Sequence, residues 1–178
     1  MTDKLIKRTP CIGVCSTTYG DDICRGCRRF RHEITSWIEY TESEKSIINR
    51  RLEKFKITVL EEKFYVRDSE KLKEALLEAK VRFNQDLQPI CWVFDLFRSL
   101  DTENLNLEDF SLKIREDFID TPLSQLKDDI NKEFYELSLA HYQRYIQPSF
   151  FYLIIGISSI FVVYLCDFIS LFIFQVFR

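Results

Sequence analysis

Four cysteines, Cys11, Cys15, Cys24 and Cys27, follow one another as C-x3-C-x8-C-x2-C, and no other feature restricts the fold of this chain as much. Two close pairs on one short segment let a loop wrap four thiolates around a single metal ion or cluster. A thiolate must approach zinc at ~2.3 Å, and four of them require roughly tetrahedral directions. The Cys24-Arg25-Gly26-Cys27 turn brings two sulfurs to one ion without strain, and Gly26 is expected to take the positive φ that such turns often need. Gly13 lies within the longer first pair, and Gly20 eases the return between the pairs. Four thiolates suit zinc and iron–sulfur clusters alike, so the spacing does not choose the cofactor. A closed zinc site of this kind leaves no open ligand position and is structural. Two disulfides, or a redox-active Cys24–Cys27 pair, are the competing readings. The redox reading lacks the βαβ surroundings of thioredoxin-like motifs.

Charge is distributed unevenly around these cysteines. Residues 1–32 hold seven basic and three acidic side chains, a local +4 in a chain of −3. Arg25, Arg28, Arg29 and Arg31 have two candidate uses. They can offset the negative charge of four thiolates, which exceeds that of a divalent ion, or they can contact phosphate as basic patches on zinc modules do. Phe30, Trp37 and Tyr40 are better read as core than as base-stacking platforms. His32 is the sole histidine nearby, and four cysteines already complete a tetrahedron without it. Residues 1–10 contain no apolar stretch of the signal-peptide type, so the cysteines are expected in a reducing compartment, where metal ligation prevails over disulfides. Cys91 and Cys166 stand in apolar surroundings and read as small buried hydrophobes.

The remaining pattern is mostly α. Only four Gly and four Pro in 178 residues argue against a sandwich or barrel of many short strands. A helix is expected from His32 or Glu33 to about Tyr40. A second begins at Thr41, where Thr41-Glu42-Ser43-Glu44 is a capping box, and continues through Ile47, Ile48, Leu52 and Phe55. Ile57–Leu60 and Phe64–Val66 are β-prone and compatible with a hairpin or an irregular link. Asp68 or Ser69 caps a helix running to about Phe83, with Leu72, Leu76, Ala79 and Phe83 on one stripe. Ile90 to Leu100 reads as a short apolar helix. Thr121-Pro122 starts another, with Leu123, Leu126, Ile130, Phe134 and Leu137 on one face as far as Gln147.

Ser149 to Cys166 is uncharged over 18 residues, which at 1.5 Å per residue spans ~27 Å, about one hydrocarbon core. Asp167 then falls at the far interface, and Tyr142, Arg144 and Tyr145 suit the near one. Lys127, Lys132 and Arg144 precede this segment and Arg178 follows it, which orients the N-terminal portion to the cytoplasm. The expected architecture is thus a four-cysteine metal knot with two helices over 9–55 and a helical region over 56–147. A single C-terminal transmembrane helix over 149–177 completes it as a tail anchor.

Pro10-Cys11-Ile12-Gly13-Val14-Cys15, Cys24-Arg25-Gly26-Cys27-Arg28-Arg29, Glu33-Ile34 and Trp37 together resemble the bacterial family named domain of unknown function 1289, over about residues 9–55. Its members are described as predicted iron–sulfur proteins. The resemblance implies Cys11, Cys15, Cys24 and Cys27 as ligands, and a bacterial, cytoplasm-facing protein at the inner membrane once the tail is added. It implies no substrate. No G-x-x-x-x-G-K, G-x-S-x-G or H-E-x-x-H pattern occurs, so an enzyme is not expected. The function expected is a membrane-tethered metal-binding module serving as adapter, assembly factor or electron carrier, with a protein partner that the sequence does not name. The alternatives are a nucleic-acid-binding zinc module and a thiol or cluster redox sensor.

Overall fold

The computed structural model describes residues 9–147. The chain divides into two compact units, 1–139 and 140–178. Of the second, the described residues 140–147 are the last turns of the final helix, where Ile146 and Gln147 donate to the Tyr142 carbonyl at 2.9 and 3.0 Å.

Among the described residues a cysteine-rich arm precedes five α-helices and one two-stranded ribbon. A short helix α1 (Arg31–Thr35) is followed by turns rather than by the longer helix expected to Tyr40. Helix α2 (Glu42–Glu61) starts at the expected capping box. Thr41 Oγ1 accepts the Glu44 N–H at 3.3 Å, and the Glu44 carboxylate accepts the Thr41 N–H at 2.8 Å. It runs on through Ile57–Leu60, which are helical and not a strand, because Val59 and Leu60 face the core on the helical repeat. Burial there outweighs β propensity. The second β-prone stretch does form strand β1 (Phe64–Val66), but its partner is distant. It pairs antiparallel with β2 (Leu112–Ile114), Phe64 opposite Ile114 and Val66 opposite Leu112.

Helix α3 (Ser69–Glu78) is capped by Asp68, whose carboxylate accepts the Glu70 and Lys71 N–H groups at 3.0 and 3.2 Å. It ends before Phe83 because Lys80 turns left-handed (φ 55). The Val81 N–H then reaches back to Leu76 and the Lys80 N–H to Leu77, the double bond of a Schellman stop. Helix α4 (Pro89–Ser99) is the centre of the fold, with every residue from Ile90 to Phe97 buried. It packs on α2, α3 and β1, and so needs apolar side chains on all faces. Helix α5 (Leu123–Tyr145) buries Leu126, Ile130, Phe134 and Ser138, one residue per turn. Lys63, buried in the turn after α2, donates to the Glu133 carboxylate of α5 at 2.6 Å.

The membrane expectation is corrected. No helix among the described residues is long and apolar enough to cross a bilayer. Helix α5 has 23 residues but carries Lys127, Asp128, Asp129, Lys132, Glu133 and Glu136. Each such charge costs ~2.5–3.5 kcal/mol at the bilayer centre, so its single apolar stripe belongs against protein. The transmembrane helix, the tail anchor and the inner-membrane localisation drawn from them are therefore set aside. Segment 149–177, on which they rested, lies outside the described residues, as does Cys166.

Candidate metal centre

Cys24 and Cys27 sit at the tip of a tight hairpin. Ile23 and Phe30 form an antiparallel bridge. The Arg31 N–H donates to the Asp22 carbonyl at 2.8 Å, Cys24 to Arg29 at 2.9 Å, and Arg28 to Cys24 at 2.8 Å. The reversal is taken by Arg28, not by Gly26: Arg28 has φ 63, whereas Gly26 is absent from the positive-φ residues. A left-handed non-glycine costs ~1–2 kcal/mol and persists only where its surroundings hold it. Gly26 serves another purpose. A Cβ there would stand 2.7 Å from Ile12 Cδ1, so a side chain at this position would have to push the exposed Ile12 side chain aside.

Both hairpin cysteines are buried. Burial pushes the Cys24 thiol up, but N–H groups of Cys27, Ser16 and Gly26 and the neighbouring Cys27 thiol outweigh it and bring its pKa from 9.0 to about 7. Several amides aimed at one sulfur favour the thiolate. Cys27 moves the other way, because burial exceeds the help from Arg29. Opposite signs give a testable profile. Cys24, depressed in the folded state, contributes stability above the unfolded value of 9.0, and this is lost as pH falls through about 7. Cys27, raised, contributes below that value and loses its share as pH climbs beyond it. Urea midpoints of metal-free protein should therefore rise between pH 7 and 9 and turn down above, and Cys24→Ser should remove the rise.

The first pair is placed differently. Cys11 is exposed and its sulfur accepts the Gly13 N–H at 3.4 Å. Cys15 is half-buried, its sulfur 3.0 Å from Thr17 Oγ1. None of residues 9–14 makes a backbone–backbone hydrogen bond among the described residues. Cys24 and Cys27 are hydrogen-bonded neighbours, and no three His, Cys, Asp or Glu side chains among the described residues form a group able to hold a metal ion. His32 is exposed on α1, tilted against Phe30 at 5.8 Å.

The four arginines divide into two kinds. Arg25 and Arg31 are exposed and pair with Asp21 at 2.9 Å and Asp22 at 3.2 Å. Arg28 and Arg29 are each 4% exposed. Arg29 donates from Nε to Cys27 Sγ at 3.4 Å and stacks over Trp37 at 4.4 Å. Arg28 donates to the Asn131 carbonyl at 2.9 Å and lies over Phe134 and Tyr135 of α5, leaving Nε without a hydrogen bond. Its own pKa is lowered by burial, against which the negative charges of Cys24 and Cys27 act. Neither buried guanidinium has a carboxylate partner among the described residues.

A third buried group carries no signal of its importance in the sequence. Glu33, which enters there only as part of a motif, accepts the Phe30 N–H at 2.8 Å and takes Arg51 of α2 bidentately at 2.5 and 2.8 Å. It fastens the hairpin to the helical body. Nothing local pairs residues 33 and 51, since they lie on different elements.

A thiol-bearing hairpin backed by buried cations and clamped to a helical body is thus the class of site present. Residues 9–56 match the family model described as protein of unknown function DUF1289, the family that the cysteine motif resembles. The match covers well under half of the chain. No curated protein and no solved structure matches it.

Proposed function

We propose that residues 9–35 form a thiolate metal centre, zinc or iron–sulfur, in a protein that acts as an adapter, assembly factor or electron carrier. One observation carries this reading: two buried arginines, Arg28 and Arg29, face Cys24 and Cys27 with no carboxylate to balance them among the described residues. Guanidinium groups do not deprotonate in proteins, and an uncompensated buried charge is costly. Thiolates at Cys24 and Cys27 supply the missing anions, and a bound cation is what holds two adjacent thiolates ionised. The amides around Cys24 favour the same state. Cys11 and Cys15 would complete the set from an arm with few backbone restraints. When bound, zinc would contribute fold stabilisation and an iron–sulfur cluster one-electron chemistry.

The phosphate-binding alternative has less support. Arg28 and Arg29 point inward, and Arg25 and Arg31 already carry acidic partners. Anaerobic purification of the full chain, followed by metal analysis and visible absorption, tests the proposal. Iron with sulfide and a brown colour identify a cluster, and zinc at one per chain identifies a structural site. Neither metal in oxidised or reduced preparations would end the reading.

A further inference from the structure

A cleft of about 500 Å³ opens where the cysteine arm crosses the helical body, walled by residues 9–13 on one side and by α2, α4 and the loop after α3 on the other. Among the described residues Lys56, Arg82 and Arg98 line it, against a single acid, Asp95. That acid is buried and already bound to Arg98 at 2.8 Å. In a chain with 28 acidic and 25 basic residues, this is a local reversal of sign. The three cations come from three different elements, so a helical charge repeat does not produce it. Arg82 is exposed and has no ion-pair partner among the described residues. The Lys56 ammonium rests 5.0 Å over the Phe94 ring, an apolar backing that leaves its charge for the cleft.

The remaining walls are held firmly. Asn84 is fixed by the Trp92 indole, whose Nε1 donates to its carbonyl at 2.9 Å, and by the Asp86 N–H on its side-chain oxygen at 3.1 Å. The Phe83 ring is tilted against Trp92 with centroids 5.0 Å apart and, with Leu52, gives the cleft an apolar floor. Two cations without a carboxylate partner among the described residues, above an apolar floor, suit a molecule with a doubly charged end and an unsaturated or ring-bearing body. We propose that this cleft binds a small phosphate-bearing molecule, with Lys56 and Arg82 on the phosphate and Phe83 against its body. One wall of this site, residues 9–13, is the arm that includes Cys11, whereas the proposed phosphate contacts, Lys56 and Arg82, belong to the helical body and do not require Cys24 and Cys27 to hold a metal.

Trp92 and Trp37, the two tryptophans of the chain, provide a reporter and a control. Full-length protein is titrated with adenosine monophosphate and with inorganic phosphate while the two indole N–H signals are followed by proton–nitrogen NMR. The Trp92 signal should move saturably with the nucleotide, with a Kd below ~1 mM, and less readily with phosphate alone, while the Trp37 signal stays in place. Lys56→Gln combined with Arg82→Gln should weaken binding at least about tenfold, removing two charge-assisted contacts, with the Trp37 signal unchanged to show an intact fold. No saturable Trp92 shift with either probe would overturn the proposal. So would equal binding by the double variant, or equal affinity for acetate.

Discussion

Glu33→Ala is expected to cost about 3–5 kcal/mol of folding stability, the range for removing one partner of a buried ion pair. Glu33 is 4% exposed, and its carboxylate accepts three hydrogen bonds. It accepts the backbone N–H of Phe30 at 2.8 Å and both terminal nitrogens of Arg51 at 2.5 and 2.8 Å. Without it the Arg51 guanidinium remains charged, 3.9 Å over the Phe30 ring, with an Nε that already lacks a hydrogen bond. The cost is therefore mainly the stranded cation and less the lost bonds. Removing that cation as well, with Arg51→Met, should return part of the stability, because the two changes share one interaction and do not add. Urea unfolding of both variants measures this. A loss below about 1 kcal/mol for Glu33→Ala would mean that the clamp between hairpin and α2 contributes no more than an exposed pair does.

Arg29→Met is expected to weaken metal binding by about 10–100-fold, the usual effect of altering a group that supports a ligand from behind. Its Nε donates to Cys27 Sγ at 3.4 Å while its plane covers Trp37. Methionine keeps much of the packing and deletes the charge. Chelator competition on the purified protein reads the affinity, and the near-ultraviolet signal of Trp37 reports whether the hairpin is intact. Cys24→Ser together with Cys27→Ser sets the limit, with stoichiometric metal expected to be lost. Unchanged affinity in Arg29→Met with an intact Trp37 signal would show that the buried cation does not balance thiolates, and the argument for the metal centre would fail with it.

Helices and their caps were legible where their causes are local. Thr41 and Glu44, Asp68, and the apolar repeat from Leu126 to Phe134 lie within a few residues of one another, and the structure has α2, α3 and α5 there. The expectation failed where a distant partner decided. Ile57–Leu60 has strand-forming residues but turns helical to bury Val59 and Leu60, and β1 could not be paired without knowing where Leu112–Ile114 lies. The positive φ assigned to Gly26 belongs to Arg28, because that buried side chain is held by Asn131 and two rings of α5. In the same way a charge count makes four arginines equivalent, whereas burial separates Arg28 and Arg29 from Arg25 and Arg31.

The sequence by itself determined which thiols stand close along the chain, where helices begin, and which family residues 9–56 resemble, since each depends on spacing along the backbone. Only the tertiary structure decided that Cys24 and Cys27 are buried together at a hairpin tip, that Glu33 holds Arg51, and that Lys56, Arg82 and Arg98 share one cleft. These depend on distances through space between residues far apart in the chain, and hydrophobic burial, which sets those distances, is a property of the whole packed core.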